Sequence, residues 1–146
     1  MGREVSNALR RRVAERAWHV CEYCLVHEED SYHGYEADHI RSVKHGGQTV
    51  QENLAWACFH CNRHKGTDLG SVSVGSGTFV GFYNPRVDRW KDHFCWSEGR
   101  IESLTEVGEV TARVLDFNHP ERVAFRKLLT EAGRYPTLEA LALLRE

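Results

Sequence analysis

Four cysteines stand in two C-x-x-C pairs, each called a knuckle here: Cys21 with Cys24, and Cys58 with Cys61. Thiolates at this spacing are typical of a structural zinc site, because each knuckle places two sulfurs on one tetrahedral ion. The 33 residues between the knuckles predict a structured insert. Two disulfides are the alternative. The N-terminal residues lack the apolar core of a secretory signal, however, and a reducing compartment favours Zn²⁺.

Further residues that could do chemistry lie inside this cysteine frame or just after it: Asp38-His39, Asn53 and Asn62-Arg63-His64-Lys65. A neutral imidazole can accept a proton near neutral pH, and carboxylate or amide oxygens are the ligands that hard divalent cations prefer. Neighbouring residues of a regular strand point to opposite faces. If Asp38 and His39 serve one site, we therefore expect a bend or bulge at 38–39.

The elements that must position these residues follow from the sequence pattern. Apolar residues at three- and four-residue spacing predict a helix over 4–18. Residues 34–40 and 53–57 read as two strands of a hairpin, joined by a polar loop over 41–52 with Gly46 and Gly47 at its centre. A short helix should open at Asn62 and end near Gly66.

The remainder is predicted as a mixed, mainly helical extension. Residues 66–81 are rich in glycine and serine and indicate a loop or irregular hairpin. Strands are expected over 79–83, 94–96 and 100–104, and helices over 105–115, 119–132 and 137–145. The fold class is thus α+β, with a core at 1–66 and an extension at 67–146 packed on it as one compact unit. Cys95, outside both knuckles, is expected to be a small buried residue.

Taken together, the motifs resemble the HNH endonuclease family, the ββα-metal or His-Me finger nucleases, in its form with a four-cysteine zinc frame. The matching segments are C-x-x-C at 21–24, D-H-I at 38–40, G-G at 46–47, N-L at 53–54 and C-x-x-C-N-x-x-K at 58–65. They cover less than a third of the chain, but five separated elements occur in the family's order. The resemblance implies a treble-clef-like ββα core of the small bacterial type.

The same resemblance implies a role for each site residue. His39 would be the general base, and Asp38 and Asn62 would bind a catalytic divalent cation, with His64 as a competing or additional ligand. Asn53 would bridge backbone groups across the loop and keep His39 in place. The side chains expected to contact phosphate are Lys65, Arg63 and Arg41.

The implied activity is hydrolysis of a phosphodiester bond in nucleic acid, with double-stranded DNA as the expected partner. Zn²⁺ would stabilise the fold, while Mg²⁺ or Mn²⁺ would assist cleavage and leave a 5′-phosphate. No stretch approaches the roughly 20 apolar residues of a membrane span, and the net charge is −2. We expect a cytoplasmic protein with no membrane role. Its oligomeric state stays open.

Two other classes of protein share parts of this pattern. A zinc module that binds nucleic acid or protein without cutting would keep the four cysteines but have no use for Asp38, His39 and Asn62 together. A redox or metal-handling protein would use reactive C-x-x-C thiols and would not depend on His39. Cleavage of nucleic acid that is lost with His39→Ala distinguishes a nuclease from both.

Overall fold

The N-terminal helix is shorter than the sequence pattern predicts. The structure, a computed structural model, describes residues 4–145, and within them helix α1 spans Asn7–Arg16. Ser6 begins the helix, since its hydroxyl accepts a hydrogen bond from the amide of Leu9 at 3.1 Å. The helix ends at Arg16 because Trp18 and His19 take positive φ angles of 56° and 62°, which no right-handed helix allows.

The two knuckles enclose a β-hairpin, and the second knuckle begins the helix that completes a ββα unit. Strand β1 (Glu36–His39) pairs antiparallel with β2 (Leu54–Ala57), and helix α2 (Phe59–Lys65) follows directly. Helix α2 begins three residues earlier than expected, because Cys58 is its N-cap and accepts a hydrogen bond from the amide of Cys61. The order of strand, long loop, strand and helix agrees with the predicted core.

The extension contains two further hairpins and four helices within the described residues. In chain order its elements are β3 (Gly70–Val72), β4 (Phe79–Gly81), α3 (Trp90–His93), β5 (Phe94–Ser97), β6 (Arg100–Ser103), α4 (Glu106–Val114), α5 (Pro120–Glu131) and α6 (Leu138–Arg145). Strands β3 and β4 pair antiparallel, so the segment 66–81 contains a hairpin. Helix α3 is a short helix that the sequence pattern did not predict. The α+β prediction is confirmed.

Buried aromatic residues attach the extension to the first knuckle. The indole of Trp90 donates to the carbonyl of Tyr23 at 2.8 Å, and the hydroxyl of Tyr135 donates to the carbonyl of Cys24 at 2.8 Å. Both aromatic side chains are at most 5% exposed. Cys95, in contrast, is exposed on β5, so its prediction as a buried residue is wrong. Among residues 4–145, none of the helices has the length and apolar character needed to cross a membrane.

Candidate nuclease site and zinc centre

The four knuckle cysteines form one buried cluster. Their Sγ atoms all lie within 4.8 Å of one another, and Cys24 Sγ is 3.7 Å from Cys58 Sγ. Four sulfurs at a Zn–S distance of about 2.3 Å stand roughly 3.8 Å apart around a tetrahedral ion. The cluster therefore fits Zn²⁺, and the cysteines are positioned to bind it as the sequence predicts.

Local backbone geometry sets the sulfurs in place. In each knuckle the amide of the second cysteine donates to the first sulfur, at 3.5 Å for Cys24 to Cys21 and 3.3 Å for Cys61 to Cys58. Burial raises the pKa of the Cys21 thiol, while hydrogen bonds from the other three cysteines lower the pKa of Cys24. These opposite shifts result from the close packing of four thiols, and a cation bound among them would require all four as thiolates.

Arg122, on α5, is a part of this centre that the sequence motifs did not reveal. Its Nη2 lies 3.2 Å from Cys61 Sγ and 3.8 Å from Cys58 Sγ. Burial by itself lowers the pKa of Arg122, but the charges of the nearby cysteines, Cys61 foremost, outweigh burial and raise it. Only three-dimensional contact identifies this residue, because nothing in the pattern around position 122 indicates a link to a knuckle 61 residues away.

Asp38 is buried and has hydrogen-bond partners on both carboxylate oxygens. Oδ2 accepts from the hydroxyl of Tyr23 at 3.2 Å and lies 3.1 Å from Lys65 Nζ. Oδ1 accepts from the side-chain amide of Asn62 at 3.2 Å. Burial raises the pKa of Asp38, against the opposing effects of Lys65 and Tyr23. Tyr23, whose phenol position the sequence did not reveal, therefore helps to fix the carboxylate.

His39 lies beside Asp38 but on the other face of β1. Strands β1 and β2 pair residue by residue, Asp38 opposite Ala55 and His39 opposite Leu54, so the bulge expected at 38–39 is absent. The His39 ring is half-buried, and its Nε2 lies 2.9 Å from Thr49 Oγ1. Partial burial lowers the pKa of His39, with Asp38 opposing and Lys65 reinforcing that shift, which favours the neutral imidazole.

Asp38 and Asn62 supply oxygens suited to a hard divalent cation. Lys65 and Tyr23 contact Oδ2 of Asp38. Oδ1, which faces the Asn62 amide, is therefore the carboxylate oxygen that could bind a cation together with Asn62. For Asn62 to bind the cation, its side-chain amide would have to present its oxygen instead of the nitrogen that now donates to Asp38. The hydrogen bonds around the amide determine which of the two atoms faces the site. One carboxylate, one amide and several waters satisfy the octahedral preference of Mg²⁺, so the donor set fits.

His64 does not join this pair. Its Nε2 lies 4.0 Å from Asp116 Oδ2, and its ring lines a cavity of about 830 Å³ together with His60 and Arg122. Positions 62 and 64 of one helix point in directions about 200° apart, so a side chain at 64 faces away from one at 62. The expectation that His64 is an additional ligand disagrees with this placement. Neither this cavity nor a second one of about 550 Å³ is lined by Asp38, His39 or Asn62.

The three side chains predicted to contact phosphate differ in their placement. Arg41 and Arg63 are exposed: Arg41 Nε donates to the carbonyl of His45 at 2.6 Å, and the guanidinium of Arg63 lies over the Phe59 ring. Lys65 is 2% exposed and donates to the carbonyl of His39 at 2.8 Å in addition to its ion pair with Asp38. Its ammonium is therefore buried inside the site, where it cannot meet a phosphate without moving.

Asn53 joins the two ends of the loop over 41–52. Its Nδ2 donates to the carbonyls of Arg41 at 2.9 Å and Gln48 at 2.8 Å, and its Oδ1 accepts from the Arg41 amide at 2.9 Å. The backbone adds a bond from the Ile40 amide to the Asn53 carbonyl at 2.8 Å. These bonds fix the chain immediately after His39, which is the arrangement that a positioning role requires.

Comparisons with known proteins agree with this geometry. Neither a search of curated proteins nor a search of solved structures gave a significant match to the chain. The family described as HNH endonuclease matches residues 21–68, which run from the first knuckle to just beyond α2 and include the motifs identified above. The HNH resemblance inferred from the sequence is therefore confirmed for the segment 21–68.

Proposed function

We propose that the protein is a metal-dependent endonuclease that hydrolyses phosphodiester bonds of nucleic acid, with double-stranded DNA as its expected substrate. The observation that carries the proposal is the contact between Asp38 and Asn62 within a segment that matches the HNH family. Asn62 Nδ2 lies 3.2 Å from Asp38 Oδ1. A divalent cation bound by these two side chains would neutralise charge on the phosphate and on the leaving oxygen.

In this proposal His39 is the general base; because it is the last residue of β1 and its ring lies on the face opposite Asp38, a substrate phosphate would have to lie across the end of the strand to reach both. If Nε2–H donates to Thr49, the lone pair of Nδ1 is free to take a proton from water. The water oxygen then forms a bond to phosphorus as the bond from phosphorus to the 3′ oxygen breaks, and the departing 3′ oxygen takes a proton from solvent, so that the products carry a 5′-phosphate and a 3′-hydroxyl. The lowered pKa of His39 suits this task, since the imidazole is neutral at neutral pH.

Arg41 and Arg63 would contact substrate phosphates, because both are exposed and each follows a proposed site residue closely in the chain, His39 and Asn62 respectively. Lys65 would act indirectly: its ammonium neutralises Asp38 and bonds the carbonyl of His39, and thereby fixes the two proposed catalytic residues relative to each other. Asn53 would do the same from the loop side. We retain a cytoplasmic location and a boundary near residue 66 as predictions.

A second function deserves a direct test, because one observation favours it. Asp38 is only 5% exposed, and Tyr23, Lys65 and Asn62 already bond its oxygens. A zinc-stabilised module that binds nucleic acid or protein without cleaving it would tolerate such a closed carboxylate. The redox alternative has no comparable support, since its thiols would be the four buried, clustered cysteines.

Cleavage of plasmid and oligonucleotide substrates with Mg²⁺ or Mn²⁺ tests the proposal. We expect His39→Ala to lose about 10²- to 10⁴-fold in rate, the usual contribution of a general base. His45→Ala is the matched control, because His45 is an exposed histidine of the neighbouring loop, and it should cut as wild type does. Equal cleavage by His39→Ala would exclude His39 as the base. Zinc-loaded wild type that cuts no substrate with any divalent metal would support the binding module.

A further inference from the structure

The zinc centre has a contact from outside the HNH segment. Arg122 belongs to helix α5 of the extension, and its Nη2 is 3.2 Å from Cys61 Sγ and 3.8 Å from Cys58 Sγ. The residue is 9% exposed. Both sulfurs belong to the second knuckle, which lies more than 60 residues earlier in the chain.

The guanidinium of Arg122 is fixed from its other side. Its Nη1 donates to the carbonyls of Leu115 at 2.7 Å and Asp116 at 2.9 Å, at the C-terminal end of α4. Its Cζ lies 5.9 Å from the centroid of the Phe117 ring. A planar group with donors on both edges therefore connects the turn between α4 and α5 to the second knuckle, and it has little freedom to move away.

The positive charge of Arg122 lies beside sulfurs that become negatively charged when they bind zinc. Four thiolates around one Zn²⁺ carry a formal charge of about −2, and a buried charge is costly unless an opposite charge pairs with it. Within residues 4–145, Arg122 is the cationic side chain that donates to these sulfurs. A hydrogen bond from a charged donor is about twice as strong as one from a neutral donor.

Donors are unevenly distributed over the two knuckles. Cys58 Sγ receives the amide of Cys61 as well as Arg122, and Cys61 Sγ receives Arg122 at the shorter distance. In the first knuckle, Cys21 Sγ receives only the amide of Cys24 among the N–H donors of the described residues. The second knuckle should therefore release its thiolates less readily than the first.

We propose that Arg122 is a positioning residue of the zinc centre, through which the C-terminal extension controls how firmly the second knuckle retains zinc. The inference rests on the four-cysteine site alone and does not depend on nuclease activity. In this proposal the extension contributes a hydrogen-bond donor to the metal centre, and the HNH segment 21–68 by itself lacks that donor.

Zinc release from the full chain to a colorimetric chelator tests the proposal. We expect Arg122→Gln to release zinc at least about 10-fold faster than wild type, the lower end of the loss in affinity when a group that bonds a metal ligand is removed. Arg122→Lys, which keeps the charge but not the paired donors, should lie between. Arg113→Gln is the control: Arg113 is an exposed arginine of α4 that pairs with Glu109, and its loss should leave the release rate unchanged.

Two further readouts separate a role at the sulfurs from simple packing. A hydrogen bond stabilises the sulfur electrons, so the thiolate-to-metal charge-transfer band of the Co²⁺-substituted protein should move to lower energy in Arg122→Gln and partly return in Arg122→Lys. Alkylation followed by mass spectrometry should label the first knuckle before the second in wild type. In Arg122→Gln, Cys58 and Cys61 should gain labelling relative to Cys21 and Cys24.

Unchanged zinc release and an unshifted band in Arg122→Gln would overturn the proposal. Equal acceleration of labelling at all four cysteines with an unshifted band would also overturn it, because that result reports loosened packing alone. If Arg122→Gln does not fold, Arg122→Lys decides the question. A band at the wild-type energy in Arg122→Lys would then refute the proposal, and a band shifted to lower energy would support it.

Discussion

The ammonium of Lys65 lies 3.1 Å from Asp38 Oδ2, and both side chains are almost completely buried, at 2% and 5% exposure. The same ammonium donates to the carbonyl of His39 at 2.8 Å. Lys65 is on helix α2 and the other two residues are on strand β1, so one cation joins the helix to the strand that carries the proposed catalytic pair. The ion pair stabilises the fold mainly because either charge, buried without the other, would lack a counter-charge.

Replacing Lys65 by methionine should destabilise the protein. The substitution keeps most of the buried side-chain volume but leaves Asp38 without its counter-charge, and breaking a buried pair in this way costs about 3 to 5 kcal/mol in the free energy of unfolding. Chemical denaturation at neutral pH measures this loss. Lys127→Met, at an exposed position of helix α5, is the matched control and should change the free energy of unfolding by less than about 0.5 kcal/mol.

The deficit of Lys65→Met should shrink in acid. Burial already raises the pKa of Asp38, and Lys65 opposes that rise, so its removal raises the pKa further. The folded variant then binds a proton at higher pH than the unfolded chain does, and its stability increases as the pH falls through that range. Denaturation midpoints from neutral to acidic pH would test this sign. A deficit that grows in acid would show that Asp38 is not the group left unpaired.

Removal of zinc should unfold the core rather than merely inactivate it. Structural zinc contributes on the order of 10 kcal/mol to folding in small zinc domains, which is comparable with the whole stability of a typical domain, about 5 to 15 kcal/mol. A strong chelator should therefore abolish the cooperative thermal transition, and metal analysis should give one zinc per chain. Far-ultraviolet circular dichroism follows the loss of structure, and added Zn²⁺ should restore it.

Cysteine variants provide the control for that experiment. Cys61→Ser removes a sulfur of the buried cluster and should lose zinc, whereas Cys95→Ser changes an exposed cysteine outside it and should retain full zinc content and thermal stability. Loss of zinc from Cys95→Ser, or its retention in Cys61→Ser, would contradict the assignment of the four ligands.

The order of motifs in the sequence was enough to predict the α+β class and the ββα core, because C-x-x-C spacing and short apolar runs are local features. The extent of α1 was not predictable from periodicity. The apolar pattern continues to Trp18, but the first knuckle requires the chain to turn there, and it does so through positive φ at residues 18 and 19. The prediction of residues 66–81 as a loop or irregular hairpin was coarse, because β3 and β4 have only three residues each.

The site could be predicted only as a set of residues, not as a geometry. Asp38 and Asn62 come together as expected, but Asp38 stays on the inner face of β1 because Tyr23 and Lys65 satisfy its oxygens there. The strand therefore needs no bulge, and His39 remains on the opposite face. Tyr23, Thr49 and Arg122 escaped prediction for the same reason: each contributes through a contact at a distance in sequence that no local pattern encodes.

Loss of the Asn53 amide should open the loop over 41–52 without unfolding the core. Asn53→Ala removes three hydrogen bonds to the backbone of Arg41 and Gln48. These bonds are exposed to solvent, and together they contribute about 1 to 3 kcal/mol. Hydrogen exchange should show faster exchange at the Arg41 amide, with the amides of β2 still protected. Asn7→Ala, at an exposed position of α1, should leave both unchanged. Global loss of protection would mean that Asn53 stabilises the entire fold.

Gly47 should be the least replaceable residue of the same loop. A Cβ added there would stand 1.7 Å from the carbonyl oxygen of Arg41 and 2.9 Å from Asn53 Nδ2, so the backbone itself would have to move. The change from Gly47 to alanine should therefore break the Asn53 bonds and lower the free energy of unfolding by about 1 to 3 kcal/mol, the usual cost of overpacking.

Gly34→Ala is the matched control, because a Cβ at Gly34 meets no atom within 4 Å and no positive φ is required there. It should be neutral or slightly stabilising, since alanine restricts the unfolded chain more than glycine does. Thermal unfolding of the two variants, together with exchange at the Arg41 amide, compares them directly. If Gly47→Ala matched Gly34→Ala in both measurements, the close approach of Gly47 to Arg41 would have no energetic role, and the loop would be held by Asn53 alone.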